Sequence, residues 1–213
     1  MPKSVKIPKA TITRLSLYYR QLELLEFDGY RMASSEKLAF LCQVNPAQVR
    51  KDLGYFGEFG IRGVGYDVIE LQAEIKKILA VNRDWNLCIV GIGNLGSAIM
   101  QHHYLSERGF KCVAVFDNDP NKIGKLTPIG LKIKDVKELP QSIDEFNIEI
   151  GVITTLSSAA QGVANLFLEA GIHAIMNFSP GMVRVPKYCV VENIDFTIKL
   201  DTLTYKLHRN IKL

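Results

Sequence analysis

The feature that most constrains the fold is a glycine-spaced segment directly after a short apolar run. The apolar run is residues 87–90, and the segment after it reads Gly91, Ile92, Gly93, Asn94, Leu95, Gly96. Glycines at this spacing allow a tight turn, a close approach of the backbone to a bound group, and close packing of a helix on the preceding strand. The sequence therefore predicts a strand, a glycine turn and a helix whose N-terminus can face an anion.

Further apolar runs indicate what surrounds this turn. They are residues 112–116, 148–153, 174–178 and 188–191, with helical stretches between strands. Strands that alternate with helices are typical of a parallel sheet covered by helices on both faces. We therefore predict an α/β chain whose residues from 84 onward form a Rossmann-like, doubly wound parallel sheet.

An acidic residue follows the glycine turn at the sequence separation found in dinucleotide-binding sites. Asp117 lies 21 residues after Gly96, at the end of the next predicted strand. A carboxylate there accepts hydrogen bonds from a ribose diol and repels a 2'-phosphate, so we expect a dinucleotide site that prefers NAD(H) to NADP(H). Asp119 is either a second ribose partner or a turn residue. The same glycine spacing also suits a turn needed only for packing, or a coenzyme A site.

Two threonines end another predicted strand. Thr154 and Thr155 follow residues 148–153, at the edge of a doubly wound sheet where ligands bind. We expect their hydroxyl groups to reach the nicotinamide side of the site. A role in capping the next helix, shared with Ser157 and Ser158, is the alternative.

The first part of the chain has a different pattern, typical of short helices. Residues 11–27 carry apolar side chains at helical spacing, and the serines at 34–35 can cap a second helix. Asn45 as N-cap, Pro46 in the first turn and Gln48 three residues after the cap form a capping box that begins a third helix. A short turn before a helix with basic residues is typical of a helix-turn-helix.

A glycine-rich segment follows this third helix. Its glycines stand at positions 54, 57, 60, 63 and 65, and aromatic residues alternate with them. We expect all five glycines to lie outside helices and the segment to form a hairpin-like wing. Asp67, with Glu70 three residues later, then predicts a further helix, which closes the first domain near residue 83.

The positive charge is concentrated at the start of the chain. Residues 1–83 hold 13 of the 26 Lys and Arg residues but 9 of the 22 Asp and Glu residues. The positive side chains that precede the first acid, Glu23, are Lys3, Lys6, Lys9, Arg14 and Arg20. Such a field suits a phosphate-rich partner, although a solvated tail is the plainer interpretation of the first six residues.

Composition sets the remaining bounds. The 213 residues are 47% hydrophobic, which is enough for buried cores, and no run approaches the roughly 18 apolar residues of a membrane span. We expect a cytoplasmic protein, because the N-terminus has no apolar signal core. The four cysteines are far apart, so we expect reduced core thiols rather than a metal or disulfide site.

The end of the chain predicts an amphipathic helix. Asp195 can cap it, and its apolar side chains are Phe196, Leu200, Leu203 and Leu207. Such a stripe must be buried against something, and we expect a partner subunit. The predicted domains are therefore residues 1–83, 84–194 and 195–213.

Several motifs, in order along nearly the whole chain, resemble one family. They are residues 7–11, 14–15, 18–20, 48–52, 55–57, 62–66 and 191–196. Together they resemble the Rex family of redox-sensing transcriptional repressors. The resemblance implies a homodimer, not an enzyme, with an N-terminal winged helix, a C-terminal Rossmann domain and a last helix exchanged between subunits. Such proteins bind palindromic operator DNA when NADH is scarce and leave it when NADH is bound.

The resemblance also implies which residues meet DNA. Arg50 and Lys51 would enter the major groove, and Arg62 would reach toward the minor groove, roles that suit bidentate or narrow-groove contacts. A phosphate contact or a solvated charge is the alternative for Arg50 and Arg62. The other DNA-contacting residues implied are Lys9, Thr11, Asn45, Gln48, Tyr55 and Gly63.

A switch is implied at the cofactor end. Phe196 would pack near the partner's nicotinamide, or serve only as an interface residue, while Arg20 and Asp195 match a family pair that forms a salt link across subunits. Many relatives carry a tyrosine where this chain has His102, and Tyr104 lies close enough to substitute. A dry pocket would penalise the positively charged oxidised ring, so we expect NADH to be preferred.

Two other functions fit parts of the pattern. An NAD-dependent oxidoreductase would need a substrate domain and a catalytic set, for which the segments outside the Rossmann region offer no obvious candidates. A DNA-binding protein without a ligand switch is the other alternative.

Overall fold

The computed structural model describes residues 7–209. The chain divides into two compact units, Met1–Arg83 and Asp84–Leu213. Lys3, Lys6 and the end of the predicted 195–213 segment lie outside the described residues.

Four helices form most of the first unit within residues 7–83. They are α1 (Lys9–Phe27), α2 (Ser35–Cys42), α3 (Pro46–Gly54) and α4 (Val68–Ile78). The predicted helix starts are confirmed: the side chains of Ser34, Asn45 and Asp67 accept hydrogen bonds from backbone N–H groups three residues later. Each cap satisfies an otherwise unpaired amide and so fixes where its helix begins.

The core of this unit lies between α1 and the other helices. Leu15, Tyr18 and Leu22 of α1 are fully buried, and they pack in one cluster with Val49 of α3 and Ile75 of α4. Burying such side chains contributes about 1.5–3 kcal/mol each. This apolar contact seats α3 on α1.

A small antiparallel sheet completes the first unit. Its strands are β1 (Met32–Ala33), β2 (Gly60–Ile61) and β3 (Gly65–Asp67), in the order β1-β3-β2. The hairpin β2–β3 is the predicted wing. A Cβ on Gly60 would lie 2.8 Å from the ring of Tyr66, so the glycine leaves room for that ring.

One prediction about these glycines is wrong. Gly54 is the last residue of α3, not a residue outside helices. A helix end tolerates glycine better than a helix interior, because fewer backbone hydrogen bonds depend on it.

The second unit contains a six-stranded parallel sheet. The strands are β4 (Trp85–Val90), β5 (Phe110–Asp117), β6 (Ile133–Asp135), β7 (Ile150–Ile153), β8 (Ala174–Asn177) and β9 (Val190–Asn193). The sequence did not predict β6, whose three residues include a lysine and an aspartate. An edge strand this short has no apolar run to reveal it.

Helices lie on both faces of this sheet. They are α5 (Asn94–Met100), α6 (Tyr104–Glu107), α7 (Leu139–Phe146) and α8 (Ser157–Glu169), whereas the last helix, α9 (Thr197–His208), has no buried residue. Cys88 and Val90 point to a core shared with Phe167 of α8, whereas Leu87 and Ile89 point to a second core. The doubly wound prediction is therefore confirmed. None of the helices in the described part of the chain is long and apolar enough to cross a membrane.

The strand order places a ligand site. The order is β6-β5-β4-β7-β8-β9, so the chain runs outward in one direction from β4 to β6 and in the other from β7 to β9. Crevices form at such a switch point, beyond the carboxyl ends of the strands. In this chain the glycine turn after β4 lies at that point.

Candidate nucleotide and DNA sites

The three glycines after β4 have different structural roles. Gly91 has φ +101°, a conformation that other residues rarely adopt. A Cβ on Gly96 would collide with the carbonyl oxygen of Gly91, so α5 can approach the strand only if residue 96 is glycine. Gly93 is the N-cap of α5, and a Cβ there would meet nothing within 4 Å. The space beside Gly93 is open to a ligand.

Asp117 at the end of β5 supports this turn. Its carboxylate accepts hydrogen bonds from the backbone N–H of Ile92 at 2.8 Å, the N–H of Asp119 at 3.0 Å and Nζ of Lys122 at 2.9 Å. Burial alone would raise the pKa of Asp117, but these three partners outweigh it and lower the pKa. The residue predicted to hold a ribose is thus a charged acceptor, 5% exposed, that also fixes the glycine turn.

Sequence reasoning missed Lys122. Its ammonium group pairs with Asp117 although 38% of its side chain is exposed. The turn that brings it back begins at Asp119, whose carboxylate accepts from the N–H of Asn121 and whose carbonyl accepts from the N–H of Lys122. Asp119 therefore does form the turn suggested as its alternative role.

A cleft of about 580 Å³ opens where these groups meet. Its lining residues are Val90, Gly91, Gly93, Asp117, Asn118, Asp119, Lys122, Val136, Thr154, Thr155, Leu156, Ser158, Ala159 and Val163. Six of the predicted cofactor residues are brought together there. Ile92, Asn94, Leu95, Gly96, Tyr104 and Phe196 are not among the residues that line this cleft.

The threonines after β7 line the opposite side of this cleft. Thr154 Oγ1 donates to the carbonyl oxygen of Gly91 at 2.6 Å, which ties β7 to the glycine turn. Thr155 Oγ1 lies 3.5 Å from Ser179 Oγ. The capping alternative is wrong, because the N-cap of α8 is Leu156 and that helix has no side-chain cap.

The region around the predicted switch residue is exposed. His102 follows α5, and its ring stacks on that of His103 with centroids 5.5 Å apart. Tyr104 begins α6, 47% exposed, with its ring edge-on to both histidines. His102 therefore occupies a solvent-facing corner.

The last helix begins one residue later than predicted. Phe196 is its N-cap position, while the carboxylate of Asp195 accepts from the N–H of Thr197 at 2.9 Å and from its hydroxyl at 2.6 Å. The hydroxyl bond is the main reason that the pKa of Asp195 is lowered. The apolar stripe of α9 is exposed in this single chain: Phe196 70%, Leu200 51%, Leu203 56% and Leu207 78%.

Of the residues predicted to contact DNA, three line a cavity of about 530 Å³ in the first unit: Arg50, Arg62 and Gly63. Arg50 of α3 and Arg62 of the wing both line it. Arg50 Nη1 donates to Ser35 Oγ at 2.7 Å and lies 3.5 Å from Glu36 Oε1. Lys51 points outward from α3. Arg50 thus lies beside the wing, whereas Lys51 is exposed and does not line this cavity.

A buried carboxylate that sequence reasoning missed joins α1 to α3. Asp52 is fully buried and accepts hydrogen bonds from four side chains: Thr11 Oγ1 at 2.9 Å, Arg14 Nε at 2.5 Å and Nη2 at 2.8 Å, Tyr18 hydroxyl at 2.9 Å and Gln48 Nε2 at 2.9 Å. No spacing signal links residues 34 to 41 positions apart. Gln48 is four residues from Asp52 on the same helix, whereas Thr11, Arg14 and Tyr18 meet the carboxylate only in the folded unit.

This cluster changes three sequence interpretations. The side chain of Gln48 binds Asp52, so only the Asn45 half of the predicted capping box forms. Thr11, predicted to contact DNA, is 1% exposed. Arg14 is paired with a carboxylate, which removes its charge from the predicted positive field.

The cysteines are free thiols in mostly apolar surroundings. Cys88 and Cys189 are buried, whereas Cys42 and Cys112 are half-buried. Burial raises the pKa of Cys42 to about 11 and that of Cys112 to about 12. Both thiols are therefore protonated at neutral pH.

Two family models match parts of the chain. One, described as "Putative DNA-binding protein N-terminus", matches residues 6–54, and one described as "CoA binding domain" matches residues 82–181. The first falls on α1 to α3, and the second contains the glycine turn and the cleft.

Full-length relatives carry a more specific description. The redox-sensing transcriptional repressor Rex of Syntrophobacter fumaroxidans is 55% identical over 205 residues, which covers 96% of this chain and 98% of the relative. The Rex of Carboxydothermus hydrogenoformans is 46% identical, covering 98% of this chain and all of the relative.

Solved structures agree with these relatives. A crystal structure of RSP in complex with β-NAD+ and operator DNA is 34% identical, with a TM-score of 0.91 over 97% of this chain and 94% of that chain. RSP in complex with β-NADH is 32% identical, with a TM-score of 0.87 over 97% of this chain and 96% of that chain. RSP is described as a Rex-family repressor. The chain therefore belongs to the Rex family of redox-sensing transcriptional repressors.

Proposed function

We propose that the chain is a homodimeric repressor that binds operator DNA through its first unit and is released when NADH binds its second unit. The observation that carries this proposal is the charged Asp117 carboxylate beside open Gly93, at the switch point of the parallel sheet. That arrangement suits a ribose next to a pyrophosphate. RSP, solved with β-NAD+ and operator DNA and with β-NADH, supports the same pairing of ligands.

The cofactor would lie across the cleft. Its pyrophosphate would approach Gly93 and the N-terminus of α5, where backbone N–H groups favour an anion. Its adenosine ribose would donate hydroxyl hydrogen bonds to Asp117, with Asp119 at the same rim. Because two carboxylates repel a 2'-phosphate, we expect NAD(H) to be preferred to NADP(H).

Preference for the reduced form would come from the apolar wall. Val136, Leu156, Ala159 and Val163 line the cleft. Burying the positive nicotinamide of NAD+ among such groups costs more than burying the neutral ring of NADH. Phe196 of the partner subunit would add to this wall, while Thr154 and Thr155 would face the nicotinamide side.

The remaining predicted cofactor residues would act through the turn. The backbone N–H of Ile92 donates a hydrogen bond to Asp117. Gly96 allows α5 to pack closely against the glycine turn. Asn94 and Leu95 form the first turn of α5, at the positive end of its dipole.

DNA would be read by α3 and the wing. Arg50 and Lys51 would enter the major groove, and Arg62 with Gly63 would lie along the minor groove. Lys9, Asn45 and Tyr55 would contact phosphates at the margins. Two such units would need to lie roughly 34 Å apart to reach successive major grooves of a palindromic site.

Dimer formation would bury the stripe of α9. The exposed leucines of α9 and the neighbouring Phe196 form an apolar patch, and such patches on a protein surface mark interaction sites. Exchange of residues 195–213 between subunits would bury this patch. The switch would involve Arg20, His102 and Asp195, with Tyr104 in place of the family's tyrosine.

An operator titration tests this proposal. A palindromic duplex selected with the cofactor-free protein is labelled, and its anisotropy is followed with protein alone, with NADH and with NAD+. Release by NADH but not by NAD+ is expected. Steady turnover of NADH with a carbonyl substrate would favour an oxidoreductase, and tight binding of coenzyme A without binding of NADH would favour a coenzyme A module.

A further inference from the structure

A buried asparagine lies between the cofactor cleft and the start of α9. Asn177 ends β8 and is fully buried. Its amide nitrogen donates to the carbonyl oxygen of Gly181 at 3.0 Å and to Asn193 Oδ1 at 2.9 Å, and its amide oxygen accepts from the N–H of Ser179 at 3.0 Å. A buried amide with these bonds is held in one orientation, since breaking any of them costs about 1–3 kcal/mol.

One side of this amide leads to the cleft. Ser179 is 3% exposed, and its hydroxyl donates to the carbonyl oxygen of Thr155 at 2.6 Å. Thr155 lines the cleft. A ligand that moves Thr155 therefore acts on the same residue whose N–H is held by Asn177.

The other side leads to α9. Asn193 ends β9 and lies opposite Asn177 in the parallel register. The N–H of Ile194 donates to the carbonyl oxygen of Asn177 at 2.8 Å, and Asp195 and Phe196 follow directly. The backbone bond and the Asn177–Asn193 side-chain bond thus tie the end of β8 to the segment from which α9 departs.

We propose that the Asn177–Asn193 hydrogen bond couples occupancy of the cleft to the orientation of α9. The path is continuous, from Thr155 through Ser179, Asn177 and Asn193, and lies within the second unit. Neither asparagine lines the cleft, so both are positioning residues rather than cofactor ligands. The inference rests on the proposed function, because the orientation of α9 matters only if α9 carries the signal for release.

Asn193 is the better position for a test. It is exposed, so Asn193→Ala removes one hydrogen bond without opening a cavity, and the Asn177 amide nitrogen keeps Gly181 as its acceptor. Asn193→Asp retains an acceptor oxygen and should preserve the link. Asn165→Ala is the matched control, since Asn165 is also exposed and also accepts one side-chain hydrogen bond, from Gln161 on α8.

The experiment measures three affinities for each full-length variant: NADH alone, operator alone, and operator at saturating NADH. For Asn193→Ala we expect the first two to stay within about threefold of the wild type, because Asn193 neither lines the cleft nor belongs to the unit proposed to bind DNA. The release ratio, operator Kd with NADH over operator Kd without it, should fall at least about fivefold, since coupling of this kind typically spans about 5- to 150-fold.

The other variants make the result specific. Asn193→Asp and Asn165→Ala should keep the wild-type release ratio. A wild-type ratio in Asn193→Ala, or an equal loss in Asn165→Ala, overturns the inference. If NADH left the operator Kd of the wild-type protein unchanged, the proposed function itself would be overturned. Failure of the inference and failure of the proposed function are therefore distinguishable.

Discussion

The guanidinium of Arg14 makes two hydrogen bonds to the carboxylate of Asp52, from Nε at 2.5 Å and from Nη2 at 2.8 Å. Arg14 lies on α1 and Asp52 on α3, so this pair joins the helix proposed to read DNA to the longest helix of its unit. Because Asp52 is fully buried and only 22% of the Arg14 side chain is exposed, salt screens this pair less than a pair on the surface. It therefore sets the placement of α3 more strongly than a surface ion pair would.

Removing this carboxylate should destabilise the first unit. Asp52→Ala leaves Arg14 and the Tyr18 hydroxyl without their acceptor, and we expect a loss of about 3–5 kcal/mol in the free energy of unfolding. Chemical denaturation followed by circular dichroism measures it. Glu74→Ala, which breaks the exposed Glu74–Lys77 pair, should cost less than about 1 kcal/mol. Equal losses in the two variants would contradict a structural role for Asp52.

The same carboxylate predicts a pH dependence. Burial acts to raise the pKa of Asp52, but hydrogen bonds from Arg14, Tyr18, Gln48 and Thr11 outweigh it, and the pKa falls below its ordinary value of 3.8. Its stabilisation is therefore present above pH 3.8 and is lost as pH falls through the lower folded value. The difference in unfolding free energy between wild type and Asp52→Asn should be constant from pH 7 to about 5 and shrink at lower pH. A difference that grows on acidification would contradict this assignment.

Glu36 should oppose DNA binding. Its carboxylate lies 3.5 Å from Arg50, and it would repel DNA phosphates near the same surface. We expect Glu36→Gln to raise operator affinity about two- to fivefold, an effect of the size that exposed ion pairs produce. Anisotropy titration measures the change, and Glu74→Gln separates it from a general effect of net charge. Unchanged or weaker operator binding by Glu36→Gln would contradict this prediction, because it would show that the Arg50–Glu36 ion pair does not oppose DNA binding.

Gly93 should be required for the cofactor but not for folding. A Cβ at position 93 meets nothing within 4 Å, so Gly93→Ala should fold normally, yet the methyl group would occupy the space proposed for the pyrophosphate. We expect NADH affinity, measured by calorimetry, to fall at least about tenfold, or about 1.4 kcal/mol. Gly162→Ala on α8, where a Cβ also has open space, is the matched control. Normal NADH binding by Gly93→Ala would place the pyrophosphate elsewhere.

Asp117 and Asp119 should differ in their effects. Asp117→Asn weakens an acceptor for the ribose and for the Ile92 N–H, so NADH affinity should fall about tenfold to a hundredfold, as for a lost charged hydrogen bond of about 1.5–3 kcal/mol. Asp119→Asn keeps an acceptor for the N–H of Asn121 and should have a smaller effect. If Asp119→Asn were the more damaging change, Asp119 would be the ribose partner.

Much of the second unit could be predicted because its signals are local. The strands are apolar runs, and the glycine turn follows one of them directly. The short strand β6 could not be predicted, since Ile133–Asp135 has no distinguishing pattern. Lys122 gave no signal either, because its pairing with Asp117 depends on a turn that only the folded chain shows.

The first unit shows the same limit more clearly. Helix caps such as Asn45 and Asp67 could be predicted from neighbouring residues. The cluster around Asp52 could not, because α1 and α3 must be folded together before Thr11 and Arg14 meet it. The family resemblance therefore implies a DNA contact for Thr11, whereas the structure buries this residue beside Asp52.

The most direct test of the central claim is the change in operator affinity on adding NADH, measured by anisotropy for wild type, Gly93→Ala and Gly162→Ala. The account predicts that NADH raises the operator Kd of wild type and Gly162→Ala by about fivefold or more, a typical coupling, while NAD+ has little effect. Gly93→Ala should bind operator normally and ignore NADH at concentrations that release the wild type. An operator Kd that NADH leaves unchanged in the wild type, or release of Gly93→Ala at the same NADH concentration, would contradict the account.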